Sequence, residues 1–184
     1  VLVIDIRNYP REFMVFDLGQ HLVAKETQFA RFTAGDLTNP GAFRFTPPIS
    51  LRPKAPHFGG TVVILVDETS LSQSEYTAMA FRAAPKALVV GSTTAGADGN
   101  VSPVFLPGGL RTGISGIGVF YPDRKPTQRI GIVPDLVVRP TIAGTRAGRD
   151  EVLEAAVTRA LGKTFRLPPQ WLRGTTNTKM REQS

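Results

Sequence analysis

A short polar segment, residues 69–75 (TSLSQSE), carries the side chains best suited to chemistry in this chain. It lies between an apolar run at 61–66 and a stretch with helical spacing of apolar residues. A serine at such a strand-to-helix junction lies at the edge of a sheet, where the free N–H groups of the first helical turn can stabilise negative charge. Ser72 is therefore a candidate nucleophile for acyl transfer, with the N–H of Gln73 as a candidate oxyanion donor.

The same spacing has a purely structural explanation. Ser72 and Glu75 form the pattern Ser-x-x-Glu, a capping box in which the two side chains satisfy N–H groups at the start of a helix. Ser70 and Ser74 are further candidate nucleophiles, and nothing local excludes them. The segment alone therefore leaves catalysis and helix capping open.

Apolar runs separated by helical stretches predict the scaffold that would position Ser72. Strands are expected near 1–6 (VLVIDI), 61–66 (TVVILV) and 87–90 (ALVV), and helices over 13–24 and 74–84. Continuous apolar strands that alternate with helices are typical of a buried parallel sheet. The sequence therefore predicts an α/β fold with a mostly parallel sheet flanked by helices.

The connecting segments are less regular. Residues 27–60, rich in Pro, Gly and aromatics, predict one strand and a long surface excursion. A Gly/Thr-rich loop at 92–100 precedes an appended β-hairpin with arms at 101–106 and 110–121. A short strand is expected within 130–140.

The carboxyl-terminal part predicts one more helix and a tail. Apolar residues line one face of 150–161, with Asp150 placed to cap this helix and Gly162 to end it. We expect one domain over 1–167 and a flexible tail over 168–184.

Composition excludes several classes of protein. Cysteine is absent, so a disulfide framework, a thiolate metal site and a cysteine nucleophile are excluded. His21 and His57 do not have metal-ligand spacing, and neither metal nor cofactor is expected. The formal charge of +7 is spread along the chain without basic runs interleaved with aromatics, so nucleic acid is not an expected partner. No apolar window reaches the ~18 residues of a membrane span.

Four segments, in order, resemble the C-terminal processing (tail-specific) peptidases, whose relatives include tricorn protease. VLVIDIRNYP resembles that family's LDLRxNPGG, and TVVILVDETSLSQSEYTAMA resembles its VVLVNxxTASASE nucleophile segment. ALVVGSTTAGADGN resembles VGxxTxGKG, and QRIGIVPDLVVRP resembles GIxPDxxV. The resemblance implies a fold of the crotonase or Clp-protease type and a serine peptidase with Ser72 as nucleophile. The family's Gly-Gly, which helps form the oxyanion hole, corresponds to Arg11-Glu12, whose N–H groups could still serve.

The general base departs from the family pattern. The family's catalytic Lys corresponds to Ala97, and its neighbour Asp98, with an ordinary pKa near 4, is interpreted as a turn residue. The chain therefore resembles the tricorn-like branch, in which a His from an N-terminal region acts with a supporting Glu; Gln128 occupies the corresponding position. His21 and His57 are interpreted as structural or surface residues.

The expected partners follow from this resemblance. Because the chain opens inside an apolar run, we expect it to be part of a longer protein whose N-terminal remainder supplies the base. The expected substrate is a peptide or unfolded protein, and the expected location is secreted or periplasmic. The alternative is a non-catalytic domain on the same scaffold that binds a hydrophobic ligand or a peptide.

Overall fold

A computed structural model describes residues 1–168, so all but the first residue of the expected tail lies outside the described residues. The apolar runs form a four-stranded, fully parallel sheet. In spatial order its strands are β1 (Leu2–Asp5), β5 (Val62–Val66), β6 (Ala87–Gly91) and β10 (Leu136–Val137). All five residues of β5 are buried, as expected for a central strand covered on both faces. The predicted parallel α/β sheet is confirmed.

Helices cover both faces of this sheet. They are α1 (Val15–Leu22), α2 (Gln73–Arg82), the short α3 (Ile142–Arg146) and α4 (Glu151–Leu161). Because side chains alternate along a strand, Ile64 belongs to the core under α1 and α2, whereas Val63 and Leu65 pack against α4. The expected cap of α4 is present, since the Asp150 carboxylate accepts the N–H of Leu153 at 2.9 Å.

None of the helices within residues 1–168 is long and apolar enough to cross a membrane.

A second, antiparallel sheet occupies the region expected to be mostly a surface excursion. Its central strand β2 (Thr27–Gly35) pairs with β3 (Phe43–Phe45), β4 (Ile49–Leu51) and β9 (Val119–Phe120). The sequence did not reveal this sheet because its outer strands have only two or three residues, too few to show an alternating pattern.

The appended hairpin is present but shorter than expected. It consists of β7 (Val101–Leu106) and β8 (Leu110–Ser115), so the expected second arm to Tyr121 is wrong. The chain leaves the hairpin at Ser115, and the N–H of Gly118 donates to Thr33 Oγ1 at 2.8 Å. That contact brings β9 onto β2 and so carries the chain back to the main body.

Candidate active site

Ser72 lies where β5 gives way to α2, as the residue immediately before the helix. Its backbone has φ 52° and ψ −114°, in a region that side-chain-bearing residues rarely adopt. Such a conformation costs on the order of 1–3 kcal/mol and persists only where the surroundings impose it. Strain of this kind concentrates at functional sites, and Ser72 is the residue for which the sequence predicts chemistry.

The turn before Ser72 is tied to the end of β1. The Ser70 hydroxyl donates to the carbonyl of Ile6 at 3.1 Å and accepts the N–H of Asp67 at 3.1 Å. Thr69 Oγ1 donates to the carbonyl of Arg7 at 3.2 Å. These bonds hold the end of β5 against β1. Because the buried Ser70 hydroxyl is used in them, Ser70 has a structural role.

Glu75 holds the helix start and the following loop together. Its fully buried carboxylate accepts the N–H of Ser72 at 3.2 Å, and the Ser72 side chain faces the N–H of Glu75 in return, so the predicted capping box is present. The Glu75 carboxylate also accepts Thr94 Oγ1 at 2.5 Å and the N–H groups of Gly96 and Ala97 at 2.8 and 2.9 Å. A single side chain therefore sets the position of loop 92–100 relative to Ser72.

A pocket of about 420 Å³ opens beside Ser72. Its apolar walls include the aromatic rings of Tyr9, Phe13, Phe32 and Tyr76. The Tyr76 ring stacks on the rings of Phe13 and Phe32, at centroid distances of 6.0 and 5.9 Å respectively. The pocket is therefore preorganised by rigid side chains.

Polar groups lie on the remaining side of this pocket. They are Ser72, Gln73, Asp98 and Asn100. A largely apolar cleft with a few convergent polar groups is the usual form of a ligand or substrate site. A larger cavity of about 750 Å³ around Tyr121 contains none of the residues predicted to be catalytic.

Asp98, interpreted from the sequence as a turn residue, is buried beside Ser72. Its side chain is 6% exposed, and while Oδ1 accepts the N–H of Gly99 at 2.8 Å, Oδ2 is buried without a hydrogen-bond partner among the described residues. Burial, reinforced by the nearby negative charge of Glu75 and opposed by the Gly99 N–H, raises the pKa of Asp98 to about 7. Asp98 is thus a titratable group in the pocket of Ser72 that charges near neutral pH.

Ionisation of Asp98 above neutral pH is expected to destabilise the folded state. Because the folded state holds the proton up to about pH 7 and the unfolded state releases it near pH 4, stability falls as pH rises between these values. We expect Asp98→Asn to raise the free energy of unfolding by on the order of 4 kcal/mol relative to the native chain at pH 8, since the pKa is raised by about three units and each unit corresponds to about 1.4 kcal/mol. Urea unfolding at pH 8 and pH 4 measures the effect.

The exposed Asp17→Asn removes the same charge from α1 and serves as control. A stability gain by Asp98→Asn that is equal at both pH values would contradict the assigned titration.

Gln128, predicted to support the catalytic residues, lies behind the pocket lining. Its Nε2 donates to the carbonyls of Asp98 and Ile117 at 2.8 and 3.1 Å, and its Oε1 accepts the N–H of Val119 at 3.4 Å. Because both ends of the amide are engaged by backbone groups of residues that line the pocket, Gln128 holds the Asp98 loop against β9. These long-range partners leave no local signature in the sequence.

The predicted oxyanion residues lie at the mouth of the site. Gln73 follows Ser72 as the first residue of α2, and its side chain donates to the carbonyl of Glu12 at 2.9 Å. Arg11 and Glu12 are exposed in the loop between β1 and α1, and Tyr9 of the same loop lines the pocket. The chain segment predicted to face Ser72 is thus adjacent to it.

Neither of the two histidines nor Lys86, the lysine nearest in sequence to the Ser72 turn, lines this pocket. The His21 ring donates through Nδ1 to the carbonyl of Pro56 at 2.9 Å. His57 and Lys86 line a separate small cavity near the end of α2 remote from Ser72. Ala97, which corresponds to the family's lysine, offers only its N–H, and that donates to Glu75.

Comparison with known proteins places these features in a family. The model of peptidase family S41 matches residues 19–138. No curated protein matches the chain.

Solved structures share the fold at low sequence identity. A protein from Parabacteroides merdae ATCC 43184 assigned as a peptidase is 23% identical, with a TM-score of 0.78 over 87% of this chain and 51% of its own. The photosystem II D1 C-terminal processing protease is 20% identical, with a TM-score of 0.60 over 86% of this chain and 38% of its own. Mature CPAF complexed with lactacystin is 15% identical, with a TM-score of 0.65 over 79% of this chain and 41% of its own.

The chain therefore spans about half or less of the length of these proteins. The family match covers more than half of the chain, and it includes β5, the Ser72 turn, α2 and loop 92–100. The chain belongs to peptidase family S41.

Proposed function

We propose that this chain is the nucleophile-bearing part of a serine peptidase, with Ser72 attacking the substrate carbonyl. The observation that carries this proposal is the conformation of Ser72, at φ 52° directly before α2 and beside a preformed pocket. The free N–H groups of the first turn of α2 lie next to the serine and can stabilise an oxyanion. The N–H groups of Gln73 and of the Arg11-Glu12 loop are the donors we assign to that role.

The general base comes, in this proposal, from the part of the whole protein that precedes residue 1. Two observations support it. Among the described residues that line the pocket there is neither Lys nor His. The chain also covers only 38–51% of its structural relatives, which leaves ample chain elsewhere to supply an imidazole, as in the tricorn-like branch.

The nucleophile is tested on the full-length protein, by covalent labelling with a fluorophosphonate and mass-spectrometric identification of the modified residue. We expect a single modification on Ser72 and its loss in Ser72→Ala, because the reagent needs an accessible, activated hydroxyl. Ser74→Ala is the matched control: the Ser74 side chain is fully buried and its hydroxyl has no hydrogen-bond partner within residues 1–168, so its removal is expected to leave labelling intact. Labelling that persists in Ser72→Ala would overturn the assignment.

A binding domain without catalysis is the second candidate. The aromatic walls of the pocket and the absence of a lysine at residue 97 favour it. Its signature is the retention of a bound ligand or peptide in the pocket together with a complete absence of Ser72 labelling in the full-length protein.

We further propose a peptide or an unfolded protein as the substrate and a secreted or periplasmic location. Both rest on family membership and on the names of relatives, which include a C-terminal processing protease and a lipoprotein from Streptococcus agalactiae. Proteinase protection of the exported protein in intact cells tests the location.

A further inference from the structure

The pocket beside Ser72 combines two features that suit one class of ligand. Four aromatic rings form its apolar walls, and one buried carboxylate, Asp98, lies among them. Cationic groups are attracted to the faces of aromatic rings and to carboxylates, and both attractions strengthen where water is excluded. We propose that this pocket receives a cationic side chain, lysine or arginine, adjoining the scissile bond, with Asp98 as the residue that determines this specificity.

The unpaired oxygen is the first step of the argument. Oδ2 of Asp98 is buried and has no hydrogen-bond partner among residues 1–168. A buried polar atom without a partner is unfavourable and calls for an explanation. Because Oδ2 is covered in this structure, an ammonium or guanidinium donor that arrives with the substrate pairs with it once the Asp98 carboxyl rotates toward the pocket, whereas an aliphatic side chain would leave the oxygen unsatisfied.

The charges around the pocket also favour a cationic ligand. Although the chain carries +7 overall, the pocket lining as described contains no Lys or Arg. The negative groups near it are Asp98 itself and the buried Glu75, whose charge acts on Asp98. The other titratable groups near the site are the phenols of Tyr9 and Tyr76 and the oppositely charged Arg11 and Glu12, which are exposed in the loop at its mouth. Burial together with the Asp98 charge raises the pKa of Tyr76 to about 12, so it stays neutral. The local potential is therefore negative and favours a cation.

The aromatic geometry supplies the second contact. Tyr76 stacks on Phe13 and on Phe32, so its own faces are covered, and the exposed rings of Phe13 and Tyr9 are the ones that offer the pocket an aromatic surface. A guanidinium or a lysine stem can lie on such a surface while its charged end reaches a carboxylate. The volume of about 420 Å³ accommodates either side chain.

The assignment to a residue next to the scissile bond rests on the proposed function, because Ser72 lines the same pocket. The preference for a cation does not, since it depends only on Asp98 and the rings. The two parts therefore have separate readouts.

The test compares matched fluorescent peptides that differ at one central residue: arginine, citrulline, norleucine or glutamate. Direct binding to the 184-residue chain is followed by fluorescence polarisation at pH 8. We expect the arginine peptide to bind at least about tenfold more tightly than its citrulline and norleucine counterparts. We also expect Asp98→Asn to abolish that difference, while Asp17→Asn leaves it unchanged.

The pH dependence distinguishes a charge contact from packing. The arginine-to-citrulline ratio falls as pH decreases from 8 to 5, because protonation of Asp98 removes its charge. Equal or tighter binding of norleucine, or an arginine preference that survives in Asp98→Asn, would overturn the proposal. If Asp98→Asn folds poorly, the arginine–citrulline comparison on the unaltered chain still tests whether the pocket prefers a cation.

Protection of Ser72 links the pocket to the reaction. The arginine peptide is expected to slow fluorophosphonate labelling of Ser72 at the concentrations at which it binds. If Ser72 is never labelled but the Asp98-dependent preference is present, the proposed peptidase function fails while the cation site stands. If labelling occurs without any arginine preference, the cation site fails and the peptidase function stands.

Discussion

The 184-residue chain alone is expected to hydrolyse an unfolded, casein-like substrate at least about 10²-fold more slowly than the full-length protein. General-base assistance contributes on the order of 10²–10⁴ in rate, and the described pocket presents neither a lysine nor a histidine. The proposed oxyanion donors of α2 and the pocket beside Ser72 remain, so a slow residual reaction is expected. Initial rates with the two proteins at equal concentration provide the measurement.

Ser72→Ala in both proteins is the control that separates this reaction from contaminating activity. Rapid turnover by the chain alone, lost in Ser72→Ala, would place a base within these residues. Asp98 would then be the first to substitute, because its carboxylate lies in the Ser72 pocket with a pKa of about 7. His57, in the loop that leads into β5, would be the second.

Replacement of Glu75 by alanine is expected to be the most destabilising single change at the site. The buried carboxylate accepts hydrogen bonds from four groups, two of them loop N–H groups of Gly96 and Ala97. Its removal leaves these buried or half-buried donors unpaired, for an expected loss on the order of 3–5 kcal/mol in the free energy of unfolding. Chemical denaturation measures this loss.

Glu26→Gln, which changes an exposed glutamate outside the site, is the matched control and should shift stability by less than about 0.5 kcal/mol. Ser72 labelling should fall together with stability in Glu75→Ala, since the same carboxylate positions the Ser72 N–H. A variant that stays as stable as the native chain would show that the loop has other, sufficient anchors.

The parallel sheet could be predicted because its strands are continuous apolar runs. Val62–Val66 is buried on both faces, and that burial imposes a composition that is visible without any knowledge of the neighbours. The antiparallel sheet could not be predicted in the same way. The partners of β2 are short, and β9 lies more than eighty residues further along the chain.

The position of Ser72 at a strand-to-helix junction was accessible to sequence reasoning, whereas the environment of Asp98 was not. Ser72 lies in a strand-turn-helix pattern that a short stretch of consecutive residues is enough to reveal. The burial of Asp98 depends on β9, on Tyr76 and on the Gln128 amide, which is thirty positions away. One signal was present: Asp98 directly follows the position of the family's lysine, where a charged group near the nucleophile is expected.

The backbone of Ser72 bears on how an inactive form should be made. Glycine adopts φ 52° and ψ −114° without strain, so Ser72→Gly would allow the turn to adopt other backbone conformations. Alanine keeps the Cβ and with it the constraint that the surrounding hydrogen bonds impose. The alanine form thus retains the geometry of the pocket without the hydroxyl, which makes it the variant suited to isolating whatever ligand the pocket binds.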